Sequence, residues 1–285
     1  MKGRAIRFAL FAVLILLGVL MLIPILFTVV NSFMTQAQIS GSYRMADSGA
    51  ASTWTYKRGM SFVPFPFVLD QYFEILAYQF SYFRMFWESM KIAVIITFFQ
   101  LIVSTVTGFF LGMYDFKGKT IVFGLYLAAL FLPFSVTLLP NYLLMKDLGL
   151  FDTQWAIIIP AIFSPLGTLL VTMFVQNISH EIYEAASMET NSYFIMLRRI
   201  MLPQMIPAIG ALLTLTFAEA WNMVEQPLAL IDNPLLRPLS VSLNSIYGSL
   251  PQFAAAVIYI APVIFLFLYF EDSIMEEISA ATIHQ

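Results

Sequence analysis

Apolar residues in this chain run together in blocks instead of alternating with polar ones. A helix needs about 20 consecutive apolar residues to traverse the hydrocarbon core of a bilayer. Six stretches approach or exceed that length: Phe8 to Val30, Ile92 to Met113, Thr120 to Met145, Trp155 to Val175, Met205 to Met223 and Phe253 to Phe270. Each predicts a membrane-spanning helix, so the pattern predicts an all-α, polytopic membrane protein with six spans. The first block follows Lys2, Arg4 and Arg7, as a secretion signal would. Its apolar run is too long for a cleaved segment and no small-residue cleavage site follows, so it is expected to remain as an anchor. Pro24, Pro133, Pro140, Pro160, Pro165, Pro207 and Pro262 fall within or at the ends of these blocks. In lipid such breaks are tolerated where neighbouring helices or a water-lined cavity satisfy the freed carbonyls. They fit moving parts and static kinks equally.

The blocks divide the chain into an N-terminal span (residues 1–30), an extracytoplasmic segment (31–87) and a core (88–285) containing a polar loop over 177–204. Lysine and arginine in short loops mark the cytoplasmic side. With the N-terminus inside, Lys2, Arg4, Arg7, Lys117, Lys119, Arg198 and Arg199 share one side, and the opposite short loops hold only Lys146 and Arg237. Both termini and the 177–204 loop are therefore expected in the cytoplasm. In the outer segment, Gly41 to Gly59 is rich in Gly, Ser, Ala and Thr and reads as a flexible insert. From Phe62 it turns aromatic, with Tyr72, Phe73, Tyr78, Phe80, Tyr82, Phe83, Phe86 and Trp87. Asp70 is expected to cap a helix beginning at Gln71, with these rings at headgroup level as an interfacial belt. A docking surface for a partner is the alternative.

Composition narrows the classes. The chain is 60% hydrophobic and 11% charged, with mean hydropathy +0.84; soluble domains carry about 25% charged residues. Cysteine is absent, which removes disulfides, thiolate metal sites and cysteine nucleophiles together. A net charge of −3 leaves no basic face for nucleic acid. His180 and His284 are too few and too far apart for a histidine metal centre, so no metal ligands and no catalytic residues are assigned.

The polar loop has a recognisable local logic. Ser179 suits an N-cap, and Glu181 in the first turn suits the helix dipole. Ile182, Ala185, Ala186 and Glu189 then share one face. Two alanines there allow close approach of another surface, and Glu184 beside them offers a hydrogen-bonding or ionic anchor. The chain must turn before a second helix, expected over Tyr193 to Met201, ended by Pro203 and capped by Ser192. Glycine makes such a turn at least cost; this chain has Thr190-Asn191, and Asn191 is expected to take the left-handed conformation.

Glu184-Ala185-Ala186, three residues, Thr190, nine residues, then Ile200-Met201-Leu202-Pro203 resembles the cytoplasmic loop of ABC importer permeases. That pattern is Glu-Ala-Ala, three residues, Gly, nine residues, Ile, one residue, Leu-Pro. Thr190 stands where the family has Gly. Asp115-Phe116-Lys117-Gly118-Lys119 is similar to the family's short inner loop. Leu138-Leu139-Pro140-Asn141-Tyr142, Leu148 to Thr153, Trp221-Asn222, Pro227-Leu228 and Pro238 to Val241 are similar to sugar-importing permeases. From Tyr72 onward the chain most resembles the second, six-span permease of maltose-type carbohydrate importers. Its ending, Ser279 to Gln285, departs from the family's common Gly-Ala-Val-Lys.

The resemblance implies the type I ABC importer permease fold in a bacterial cytoplasmic (inner) membrane. It also implies a second permease subunit, two ATP-binding subunits and an extracytoplasmic solute-binding protein as partners, with a carbohydrate as substrate. Glu184, Ala185, Ala186, Thr190, Asn191, Ile200, Leu202 and Pro203 would couple this chain to its ATPase. No cofactor belongs to this chain; ATP and Mg would sit on the partner. Gly118-Lys119-Thr120 mimics the end of a phosphate-binding loop, but Met113 stands where its first Gly is needed.

Charges within spans are costly and point to function. Glu219, with Trp221 and Asn222 nearby, and the pair Asn141 and Tyr142 offer the carboxylate, amide and aromatic groups that suit a sugar. Against this, Glu219 would equally pair with the partner permease, and Trp221 would anchor at the membrane interface. Rival readings are an ABC permease for another small solute and an ion-gradient secondary transporter. The latter is expected to show repeated halves, paired carboxylates or broken half-helices, and no repeat is visible.

Overall fold

A computed structural model describes residues 2–35, 38–39, 66–178, 180–190, 192–243 and 251–283. The insert at Gly41 to Gly59, Ser179 and Asn191 lie outside the described residues, as do the side chains of Ala185 and Ala186. Among the described residues the regular structure is helical throughout. In chain order the helices are α1 (Lys2–Asn31), α2 (Asp70–Tyr78), α3 (Phe80–Met113), α4 (Lys119–Phe131), α5 (Phe134–Asp147), α6 (Trp155–Ile162) and α7 (Pro165–Gln176). There follow α8 (His180–Glu189), α9 (Tyr193–Gln204), α10 (Ile206–Trp221), α11 (Glu225–Leu230), α12 (Leu239–Ser242) and α13 (Gln252–Ile283). Among the described residues four segments are long and apolar enough to cross a membrane, and six if the bent pairs α4–α5 and α9–α10 each count as one span.

Every apolar block is helical, but the blocks are not all straight rods. The Thr120 to Met145 block breaks at Leu132-Pro133, where α4 and α5 meet at 103°. A residue before proline is pushed out of the helical region, and Leu132 is extended at φ −70, ψ 121. The Trp155 block breaks at Phe163-Ser164; Ser164 is extended ahead of Pro165, and its Oγ accepts from the Gly167 N–H at 3.4 Å. This is a conventional helix start. Pro203 was expected to end its helix and does not. Met196–Met201 is wound as a π-helix, and the chain stays helical through Pro203 to Gln204 before turning 80° at Met205. Proline crowds the carbonyl four residues back, and the wider π ladder just before it gives that ring room.

Backbone proximity separates two units. One comprises Met1–Phe83 and Ile246–Ala261, the other Arg84–Ser245 and Pro262–Gln285. In the first, Gln71 is buried, its Nε2 donating to the carbonyls of Asn31 at 2.8 Å and Met34 at 2.7 Å and its Oε1 accepting from the Ala254 N–H at 3.4 Å. One amide thus ties the end of α1 to the start of α13. Asp70 is the first residue of α2, with Leu69 in the cap position, so its carboxylate acts on the helix dipole instead of capping. Of the rings expected to form an aromatic belt, Phe73, Tyr78, Phe80 and Trp87 are exposed. Tyr82 is not available to such a belt, being fully buried and donating to the Ala255 carbonyl at 2.7 Å. The helix carrying it begins at Phe80, twelve residues before the apolar block, and winding turns this ring inward.

The second unit is held by close approach of α3 and α7. A Cβ added to Gly108 would stand 2.6 Å from Val171 Cβ, and one on Gly112 would stand 2.7 Å from Val175 Cβ. A Cβ on Gly167 would meet Ser104 Oγ at 2.6 Å. Lipid gives helices no hydrophobic drive to associate, so small residues that let backbones close in carry the contact. Gly108→Ala should therefore destabilise the protein by about 1–3 kcal/mol through overpacking, lowering its unfolding temperature in detergent. Gly124→Ala, where nothing lies within 4 Å, should leave it unchanged or higher; equal effects would refute the contact.

Candidate functional site

The 177–204 loop is built as a projecting helix on an apolar root. On α8, Glu181, Glu184, Ser187, Met188 and Glu189 are exposed, with Met188 at 85%. Tyr183, one residue from Glu184, faces the other way, against a buried cluster of Phe109, Val171, Val175, Met196, Met201, Met205 and Leu212. Ile200 packs on that cluster too. Pro203 is exposed and Leu202 half-buried. Thr190 turns without a left-handed backbone, since among described non-glycine residues only Asp152 has positive φ. Its Oγ1 accepts from the Ser192 N–H at 3.2 Å. Ser192 occupies the N-cap position of α9, extended at φ −90, ψ 113, but its side chain makes no capping bond.

The join between loop and spans is an aromatic cluster that sequence reasoning missed. Tyr114, just past the end of α3, stands edge-on to Tyr183 of α8 at 5.8 Å and to Tyr193 of α9 at 5.2 Å. It also packs against Phe109 and Phe110, both at 5.6 Å. Its hydroxyl donates to Met196 Sδ at 3.3 Å, reaching the π-helical turn. Burial first, then the neighbouring Tyr183 and Tyr193, push the Tyr114 phenol up to about 12, so it keeps its proton and its donor role at neutral pH. Edge-to-face rings are directional contacts worth about 0.5–1.5 kcal/mol each beyond their buried area. A signal existed: three tyrosines lie at the ends of the segments that meet here.

Glu219 lies on α10, exposed to two cavities. One of about 160 Å³ is lined by Gln100 of α3, Ser164 at the α6–α7 break, Thr216 and Glu219 of α10 and Gln226 of α11, among others. The second, about 450 Å³, shares Glu219, Met223 and Gln226 and adds Asn222 and Glu225. Among the described residues neither lining contains Lys or Arg. Asn222 Nδ2 donates to the Ala218 carbonyl at 2.8 Å. Trp221, expected at an interface or on a sugar, is instead 1% exposed, stacked on Phe217 at 5.7 Å and edge-on to Phe86 at 5.4 Å. The helical turn that exposes Glu219 and Asn222 points the intervening ring into the core. Asn141 and Tyr142 line neither cavity; Tyr142 packs on Phe151 at 5.1 Å, with Lys146 Nζ 5.8 Å from its ring centre. Among the described residues no three His, Asp or Glu side chains gather as a metal site.

A sequence profile of the family described as "Binding-protein-dependent transport system inner membrane component" matches residues 104–274. The chain is 29% identical over 227 residues to the arabinooligosaccharides transport system permease protein AraQ of Halalkalibacterium halodurans, covering 77% of this chain and 81% of that one. The protein of the same name from Bacillus subtilis is 31% identical over 195 residues, covering 67% and 69%. An sn-glycerol-3-phosphate transport system permease protein, UgpE of Brucella abortus, is 26% identical over 208 residues, covering 71% and 74%. Among solved structures, a chain of a bacterial ABC transporter involved in import of the acidic polysaccharide alginate superposes with a TM-score of 0.75. It is 19% identical, with 93% of this chain and 96% of that one covered.

If Tyr114 anchors α8, Tyr114→Ala should speed backbone amide exchange across His180–Glu189 about tenfold, the loss of roughly two ring contacts. Tyr114→Phe, which keeps the ring, should change it little. Unaltered exchange in Tyr114→Ala would show that the helix is held elsewhere.

Proposed function

Because the chain belongs to the family of inner membrane components of binding-protein-dependent transport systems, we propose that it is one of two permease subunits of an ATP-driven carbohydrate importer. In this reading it forms half of the translocation pathway in the inner membrane of a bacterium, with both termini in the cytoplasm. An extracytoplasmic binding protein delivers the sugar to the outer face. Two ATP-binding subunits, carrying ATP and Mg, grip the loop around Glu184. The chain itself catalyses nothing.

The observation that carries the coupling reading is the mechanical continuity from Glu184 to the spans. An exposed helix bearing Glu184 and Met188 is rooted through Tyr183 on Tyr114, at the end of the 34-residue helix α3. Pulling a loop moves a bundle only if the joint is stiff, and a packed aromatic joint is stiff because dense interiors transmit strain. Alternating access then needs only two packings of one bundle, biased by ATP on the partner.

Carbohydrate as substrate class is supported by what the relatives are named for and by the cavities here. Arabinooligosaccharides, sn-glycerol 3-phosphate and alginate are all polyhydroxylated. A phosphate or uronate ligand calls for cations, and the linings around Glu219 offer none among the described residues. A neutral sugar fits best. Glu219 and Asn222 are the pathway residues in this reading.

In membrane vesicles holding the whole transporter, Glu184→Arg should abolish uptake while the protein still inserts and ATP hydrolysis continues without transport. Wild-type uptake in that variant would refute the coupling role. Uptake of labelled arabinotriose, sn-glycerol 3-phosphate and an alginate oligosaccharide should favour arabinotriose; uptake of none would refute the carbohydrate reading.

A further inference from the structure

The smaller cavity holds polar atoms whose hydrogen bonds the protein does not supply. Thr216 is 2% exposed, and its Oγ1 is buried without a partner. Buried threonines in apolar helices ordinarily donate to the carbonyl four residues back. Thr172 does so to Thr168 at 2.7 Å and Thr214 to Gly210 at 3.0 Å, on helices adjoining the same space. Thr216, half a turn from Thr214, does not. Gln226 Oε1, from α11, is likewise buried and unpartnered, and both residues line the same cavity. A buried polar group left unsatisfied costs about 1–3 kcal/mol. Both belong to residues lining one space, a hydroxyl donor and an amide acceptor without an internal partner.

The backbone around that space has the form of a site. Non-helical backbone at membrane depth occurs only where protein or a water-filled cavity covers it, and the α6–α7 break at Phe163-Ser164 opens onto this cavity. Ser164 Oγ accepts from the Gly167 N–H, leaving its hydroxyl proton to donate. Gln100, 4% exposed, completes the ring from α3. Phe163 lines the same cavity and is 67% exposed, an aromatic face for stacking. The cavity shares Glu219, Met223 and Gln226 with its larger neighbour, so the carboxylate stands between the two.

We propose that this cavity binds one sugar unit of the passing carbohydrate, with the Thr216 and Ser164 hydroxyls and the Gln100 and Gln226 amides meeting its hydroxyl groups and Phe163 its apolar ring face. The set is neutral apart from Glu219, and neutral donors and acceptors beside an aromatic face match a polyol better than a cation or an anion. The proposal rests on the carbohydrate reading above and extends it: this subunit handles the sugar directly at a broken helix as well as forming a wall of the path.

The chain contains no cysteine, so Ser164→Cys or Ala161→Cys places a single thiol in the cavity lining. In vesicles carrying the complete transporter, modification of this subunit by a small water-soluble methanethiosulfonate is followed by mass spectrometry. Arabinotriose at about twice its dissociation constant should slow it about threefold, and 1,4-diaminobutane should not. Adding Thr216→Val should raise the half-protecting concentration about 3- to 10-fold, as loss of one hydrogen bond requires. The site is overturned if neither thiol reacts, if arabinotriose is taken up by the same vesicles yet protects neither, if Thr216→Val leaves protection unchanged, or if diaminobutane protects as well. If the vesicles take up no sugar, the carbohydrate reading fails and this site falls with it, a result separable from uptake without protection.

Discussion

Satisfying backbone polar groups without water is the constraint on which the rest of this structure depends. In hydrocarbon each unpaired N–H or C=O costs several kcal/mol, so a chain this apolar must be helical wherever lipid touches it. Its three breaks each close their own accounts. At the first, the Leu132 N–H donates to Ala129 and that of Val136 to Pro133. At the second, Phe163 donates to Pro160 and Gly167 to the Ser164 side chain. At the third, Met205 donates to both Met201 and Leu202. Bends of 103° and 80° are thereby built in at the first and third breaks. Prolines choose the first two places, where Leu132 and Ser164 are extended ahead of Pro133 and Pro165; the third falls at Met205, beyond a Pro203 that stays helical.

The same constraint separates what must be rigid from what is left polar. Gly108, Gly112 and Gly167 bring α3 and α7 into contact that any side chain would obstruct. The Tyr114 cluster continues that packing past the end of α3 to the loop helix. Tyr183, next to Glu184, is thereby joined to the end of α3 by packed rings. Where α6 gives way to α7, by contrast, a cavity is lined by Thr216 and Gln226, whose Oγ1 and Oε1 find no internal partner. Broken helices by themselves do not separate an ATP-driven permease from an ion-driven one; membership of the binding-protein-dependent family does.

Helix content and span positions were legible because lipid leaves apolar blocks one solution. The loop pattern ending in Ile200, Leu202 and Pro203 was legible because its spacing is long. Helix ends were less so: α3 begins at Phe80, within what composition alone marks as an interfacial segment. The prolines announced interruptions without announcing their angles. Pro203 shows why, since a π-helical turn over Met196–Met201 absorbed a residue that normally terminates.

Side-chain direction is where linear reading ran out. Glu219, Trp221 and Asn222 look like one cluster in sequence, yet about 100° of rotation per residue leaves the acid and the amide at the cavities and sends the indole into the core. Tyr114, Tyr183 and Tyr193 are separated by up to 79 positions and meet only because three helix ends converge. Gln100, Ser164, Thr216 and Gln226 share a cavity because α3, α10, α11 and the α6–α7 break meet there. The amino-acid sequence by itself determined that the chain is helical and membrane-spanning, since both follow from local periodicity and the length of its apolar blocks. Which polar atoms face one another was decided only by tertiary structure, because the crossing of bent helices sets distances that no spacing along the chain encodes.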